Sequence, residues 1–135
     1  MRTPLQGIAA ALLISALAGC ASESMADCCS APAKSVVRHV VLLKFKDGTT
    51  PDQIKTVEAA FVALKGKIPT IQDLEWGTDL SPEKLAQGFT HCFFLTFKDA
   101  AGRDAYLSHP AHKEFGGVLR PVLDKVLVID YQSRN

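Results

Sequence analysis

The sequence predicts an α+β domain of order β-α-β-β-α-β in which the second helix is divided. Three observations carry this. Segments 36–46, 89–98 and 125–131 are rich in β-branched and aromatic residues, as strands are. Residues 54–68 carry an apolar stripe at helical spacing. Pro110 falls inside a second helical stretch and biases His109 away from helix, so that helix breaks and restarts.

Each element follows from its own residues. Val36 to Lys46 alternates, with Val37, His39, Val41, Leu43 and Phe45 on one face. Asp47-Gly48 turns the chain, Thr50 is placed to cap a helix and Pro51 suits its first position. Ile54, Val57, Phe61, Leu64 and Ile68 form that helix's buried stripe, and Lys65-Gly66-Lys67 with Pro69 ends it. Asp73 to Leu80 reads as a shorter strand containing Trp76, and Ser81 to Gly88 as a polar connection. Phe89 to Lys98 is the clearest strand, with Phe89, His91, Phe93, Leu95 and Phe97 expected on one face. Asp99 caps a helix from Ala100, a second helical stretch runs from Ala111 to Leu119, and Lys125 to Tyr131 closes the sheet. The plan is ferredoxin-like. Helices on one face leave Val40, Leu42, Cys92 and Phe94 uncovered on the other. Apolar surface in water is costly, at about 25 cal/mol per Å². A second copy covering that face is expected, hence a homodimer closed sheet to sheet.

The chain has 135 residues, room for one such domain. Apolar residues at 47% and charged residues at 21% give an ordinary globular balance. Beyond residue 19 the formal charge is zero, because the first nineteen residues hold one charged side chain, Arg2. That leaves no electrostatic footprint for nucleic acid.

The N-terminus reads as an address. Arg2 precedes an apolar run from Ile8 to Ala18, interrupted only by Ser15 and too short for a bilayer, which needs about twenty residues. Leu17-Ala18-Gly19-Cys20 resembles the lipobox of bacterial lipoproteins. The resemblance implies a signal peptide over 1–19 and a diacylglycerol on Cys20. It places the protein in the bacterial cell envelope, exported and facing the periplasm, with the outer membrane favoured. Residues 20–35 are then a lipidated flexible tether holding Cys28 and Cys29, and 36–132 are the domain.

All four histidines lie in the domain. Alternation puts His39 and His91 on the apolar face of their strands, where each needs a hydrogen-bond partner. Tyr106, His109 and His112 are spaced by three and would share one side of a continuous helix. A neutral histidine as base and a tyrosine hydroxyl as donor suit proton transfer beside a carbonyl. A metal site fits poorly, because His91 and Cys92 are strand neighbours that point to opposite faces. Cys92 itself reads as packing.

Four segments, in order, resemble the stress-responsive A/B barrel (Dabb) family: His39 to Phe45, Gly88 to His91, Tyr106 to His112 and Val128 to Tyr131. The resemblance implies a dimeric α+β barrel. The family includes plant stress proteins and a plant polyketide cyclase that closes a ring by an aldol-type reaction without metal or organic cofactor. It matches His39, His91, Tyr106 and His112 to the family's histidine and tyrosine positions and implies Tyr106 and His112 as the catalytic pair; His39, His91 and His109 are expected to bind ligand, with neither cofactor nor metal. The expected function is a membrane-tethered homodimer that binds a small apolar or carbonyl-containing molecule between sheet and helices. Cofactor-independent cyclase or lyase chemistry is the reaction class implied. The alternative is a non-catalytic stress-response or structural envelope lipoprotein. Heme or flavin handling is a third reading, by analogy with dimeric α+β barrels at large.

Overall fold

The computed structural model describes residues 35–134. The leader, Cys20, Cys28, Cys29 and the tether up to residue 34 lie outside the described residues. The elements are β1 (Val37–Phe45), α1 (Pro51–Val62), α2 (Leu64–Lys67), β2 (Ile71–Thr78), β3 (His91–Phe97), α3 (Ala100–Ser108), α4 (Pro110–Leu119) and β4 (Leu123–Gln132). One antiparallel sheet has the strand order β2-β3-β1-β4. This is the ferredoxin-like α+β fold that the sequence predicts.

Local chemistry sets the boundaries. Gln53 N donates to Thr50 Oγ1 and Thr50 N donates to Gln53 Oε1, a capping box that starts α1 with Pro51 at its first position. The expected single helix to Ile68 is divided at Ala63, yet Val57, Phe61, Leu64 and Ile68 remain one buried stripe. Strand β2 is shifted from the expected 73–80 to 71–78, because Ile71 N donates to Ile68 O and its buried side chain joins the core. Strand β3 begins two residues later than expected. Gln87 and Gly88 both have positive φ, so the chain is still turning at Phe89. Phe89 therefore lies beside Leu42 and Cys92 rather than in the face that carries Phe93. Gly88 has φ +85°, and a side chain there would press on Lys44.

The helices pack on the face that carries the odd-numbered residues of β1 and β3. Leu43, Phe93, Leu95 and Phe97 are fully buried against Val57, Phe61, Leu64 and Ile68. Phe61 stacks on Phe93 with ring centroids 3.9 Å apart. Each such side chain contributes about 1.5–3 kcal/mol by leaving water. On the other face Val40, Leu42, Cys92 and Phe94 are half-buried. The edge strand β4 is exposed on both faces: Val126 and Val128 on one, Leu127, Ile129 and Tyr131 on the other.

Candidate functional site

The break between α3 and α4 builds the site. His109 leaves helical geometry, and its Nδ1 accepts from Ala111 N at 3.1 Å, so its ring caps α4. The bend folds the last turn of α3 against the first turn of α4. Tyr106 and His112 are thereby brought together, with ring centroids 4.4 Å apart. Strand β1 adds His39, whose ring lies edge-on to Tyr106 at 5.4 Å. Strand β4 adds Asp130, the register partner of His39. These four side chains meet in a cavity of about 220 Å³ between sheet and helices. Phe61, Phe115, Leu119, Val126 and Val128 supply its apolar walls.

The polar atoms divide into those with protein partners and those without. His39 Nδ1 lies 2.6 Å from Asp130 Oδ1, and the other Asp130 oxygen accepts from Arg103. Arg103 Nε also donates to Asp104 at 2.7 Å. His112 Nδ1 donates to the Leu107 carbonyl at 3.2 Å. Among the described residues nothing bonds His39 Nε2, Tyr106 Oη or His112 Nε2. Thr70 Oγ1 is the only fully occluded side-chain polar atom left unpaired there. The three atoms are therefore not sealed in protein; they open on the cavity that their residues line.

Burial sets the protonation of Tyr106 and His112. It pushes the Tyr106 phenol well above its ordinary value, and the Asp130 charge adds to the effect, so the hydroxyl keeps its proton. Burial lowers the His112 imidazole below 6.5, the Leu107 carbonyl opposes this and His39 adds to it. His112 is thus neutral at neutral pH, with Nε2 as its acceptor. The arrangement offers one O–H donor and one neutral base to a molecule in the cavity.

The other sequence-singled residues lie elsewhere. His91 and His109 do not line this cavity. Both ring nitrogens of His91 are engaged, Nε2 with Glu58 at 3.0 Å and Nδ1 with the Thr90 hydroxyl at 2.8 Å. Its ring lies parallel to Trp76 and edge-on to Phe45. Glu58→Ala would leave a buried nitrogen without its partner, at a cost of about 1–3 kcal/mol. We expect a lower unfolding midpoint, recovered in large part by Glu58→Gln. An unchanged midpoint in Glu58→Ala would mean that Thr90 alone satisfies the ring. Cys92 is half-buried on the open sheet face. Burial first, then the charge of Glu75, raises its thiol above 9.0, which keeps it protonated. Among the described residues no three of His, Cys, Asp and Glu gather as metal ligands.

Asp130 and Arg103 escaped the sequence reading as site residues. The signal for Asp130 was present: an acidic side chain shares a strand face with Val126 and Val128. Arg103 gave none, since a lone arginine on a helix is ordinarily solvated.

A four-stranded antiparallel sheet, helices on one face and a histidine–tyrosine cavity beneath a broken helix define a ferredoxin-like α+β domain with an internal ligand-sized site. The chain belongs to the stress-responsive A/B barrel domain family, whose model matches residues 37–133. It is 43% identical over 100 residues to the stress-response A/B barrel domain-containing protein HS1 of Arabidopsis thaliana, covering 74% of this chain and 92% of that one. It is 37% identical over 98 residues to olivetolic acid cyclase of Cannabis sativa, covering 73% and 97%. The structure of hydroxynitrile lyase from Passiflora edulis superposes with a TM-score of 0.71 at 30% identity, covering 76% and 97%. Other solved neighbours include dimeric ferredoxin-like proteins.

Proposed function

We propose that this protein binds a small molecule with an apolar body and a carbonyl or hydroxyl group in the cavity between sheet and helices. Tyr106 and His112 then move protons on it without a cofactor. One observation carries the reading: three polar atoms, on His39, Tyr106 and His112, open on one cavity and have no partner among the described residues. Unpaired polar groups in an apolar pocket cost stability, and a ligand that pairs with them recovers it. Tyr106 polarises a carbonyl oxygen and His112 Nε2 takes the proton from the neighbouring carbon. The cyclase and the lyase among the similar proteins support this class of chemistry.

The working form is a homodimer. Leu127, Ile129 and Tyr131, with Val40, Leu42 and Phe94, give the open sheet face an apolar surface, and dimeric neighbours of this fold support a second copy over it. Cys20 would carry the lipid that ties the dimer to the bacterial envelope, with residues 20–35 as tether. The stress-response name of the Arabidopsis relative favours a second reading, a stress-response protein that does not catalyse.

Titration with aromatic aldehydes, phenols and alkyl ketones tests the site, read by NMR on the Tyr106 and His112 rings. Saturable shifts at both rings are expected. Because the His112 value lies below 6.5, binding should hold as the pH falls through 6.5 and fail only in more acid solution, where the ring gains a proton. A panel in which no member shifts either ring would defeat the proposal.

A further inference from the structure

We propose that Arg103, a residue outside the cavity, is a positioning residue that works through Asp130 to hold His39 as the Nδ1–H tautomer, making His39 Nε2 a hydrogen-bond acceptor for a ligand O–H. The inference rests on the ligand-binding reading above and adds a third polar contact to it. It starts from three side chains on three elements. Arg103 on α3 is braced by its neighbour Asp104 and reaches across to Asp130 on β4, whose other oxygen meets His39 Nδ1 on β1.

An arginine is always a cation and only donates, so the Asp130 oxygens that face it and His39 act as acceptors. A carboxylate that accepts at Nδ1 requires the proton there, and the lone pair of a neutral ring then lies on Nε2. His39 is 3% exposed, and Nε2 finds no partner among the described residues while its ring lines the cavity. The Asp130 side chain is more open, at 29%. Without Arg103 it is free to turn toward water, and nothing else among the described residues fixes the ring proton of His39. The cavity thus presents one donor, Tyr106 Oη, and two acceptors, the Nε2 atoms of His39 and His112. A molecule that bears an O–H as well as a carbonyl meets all three.

The full-length protein with ¹⁵N-labelled histidines reports the tautomer through long-range ¹H–¹⁵N correlations. The wild type should show His39 protonated on Nδ1. Arg103→Gln should convert it to a mixture of both tautomers, and Arg103→Lys should restore part of the original pattern. His91, tied to Glu58 and Thr90, should not change in either variant and so reports an intact fold. Should Arg103→Gln prove unstable, Asp130→Asn asks the same question from the other side of the bond. A wild-type His39 protonated on Nε2, or a pattern indifferent to Arg103 and Asp130, overturns the proposal. A pair of probes reads the consequence for binding: 4-ethylphenol, which has an O–H to give, and 4-ethylanisole, which has none. The wild type should prefer the phenol by about fivefold, the worth of one hydrogen bond, and Arg103→Gln should show a smaller preference, with His112 Nε2 left as the fixed acceptor. Equal preference in both proteins overturns the role assigned to Arg103. If neither probe binds, the ligand-binding reading fails, and the tautomer experiment still decides what Arg103 does to His39.

Discussion

Phe93→Ala is expected to remove about 3–5 kcal/mol of stability, the range for deleting a buried aromatic ring. Phe93 is fully buried on β3 and lies between two other rings, Phe61 at 3.9 Å and Trp76 at 5.5 Å, both nearly parallel to it. It therefore joins α1 to β2 through one side chain. Its loss leaves a cavity that neither neighbour fills without moving its own backbone. A domain of this size shifts its midpoint by roughly 4–8 °C per kcal/mol, so thermal unfolding at a fixed protein concentration should show a fall of roughly 12 °C or more. Phe93→Leu, which keeps most of the volume, should cost far less. A loss below about 1 kcal/mol in Phe93→Ala would mean that the helical layer closes over the gap and that the stack is not what joins helix to sheet.

Tyr106→Phe should act in the opposite sense on stability and strongly on function. The ring is 1% exposed and packs on His39, Phe97 and His112, contacts that phenylalanine keeps. The hydroxyl has no partner among the described residues, so removing it costs no protein hydrogen bond. The unfolding midpoint should be equal or higher, as for groups kept for function at the expense of stability. Affinity for a carbonyl probe should fall by about tenfold, the upper worth of a neutral hydrogen bond. For a substrate that the protein turns over, loss of the donor should slow the reaction by about 10²- to 10⁴-fold. A lower midpoint with unchanged affinity would make Tyr106 a structural residue and remove the donor from the proposed chemistry.

How much of this was legible in the sequence depended on range. Short-range patterns reported well. The alternation of β1 placed His39 and Leu43 on the buried face, and the spacing of Val57, Phe61, Leu64 and Ile68 gave the helical stripe despite the division at Ala63. The Thr50 cap and the break before Pro110 are local chemistry and were readable as such. Positions fixed by distant parts of the chain were not. Asp130 meets His39 only because β4 pairs with β1, and no local rule states that register. Glu58 meets His91 across 33 residues, so the partner that an apolar-face histidine requires was expected but not named. The spacing of three shared by Tyr106, His109 and His112 described a continuous helix. The same proline that breaks the helix also turns His109 into a cap and lets the outer two converge. Phe89 was misplaced because alternation was carried back to the residue directly after Gln87 and Gly88, whose positive φ keeps the chain turning there.

The strand order also bears on how the chain comes to be folded. Strand β1, the first along the chain among the described residues, lies in the interior of the sheet. One of its neighbours begins at His91 and the other ends at Gln132, with Val37 registered opposite Gln132. Most of the ladder therefore joins residues that are far apart along the chain, a high contact order that slows folding. A nascent chain that has emerged only as far as α1 has no native strand to pair with β1. Completion of the sheet waits for β4, Leu123–Gln132. Until β3 emerges VRHVVLLKF is an unpaired β-rich segment, a substrate for chaperones and a seed for aggregation, and until β4 emerges one of its edges stays open. In this topology the C-terminal strand is the step that commits the chain, and truncation before Leu123 would leave β1 with one edge permanently open.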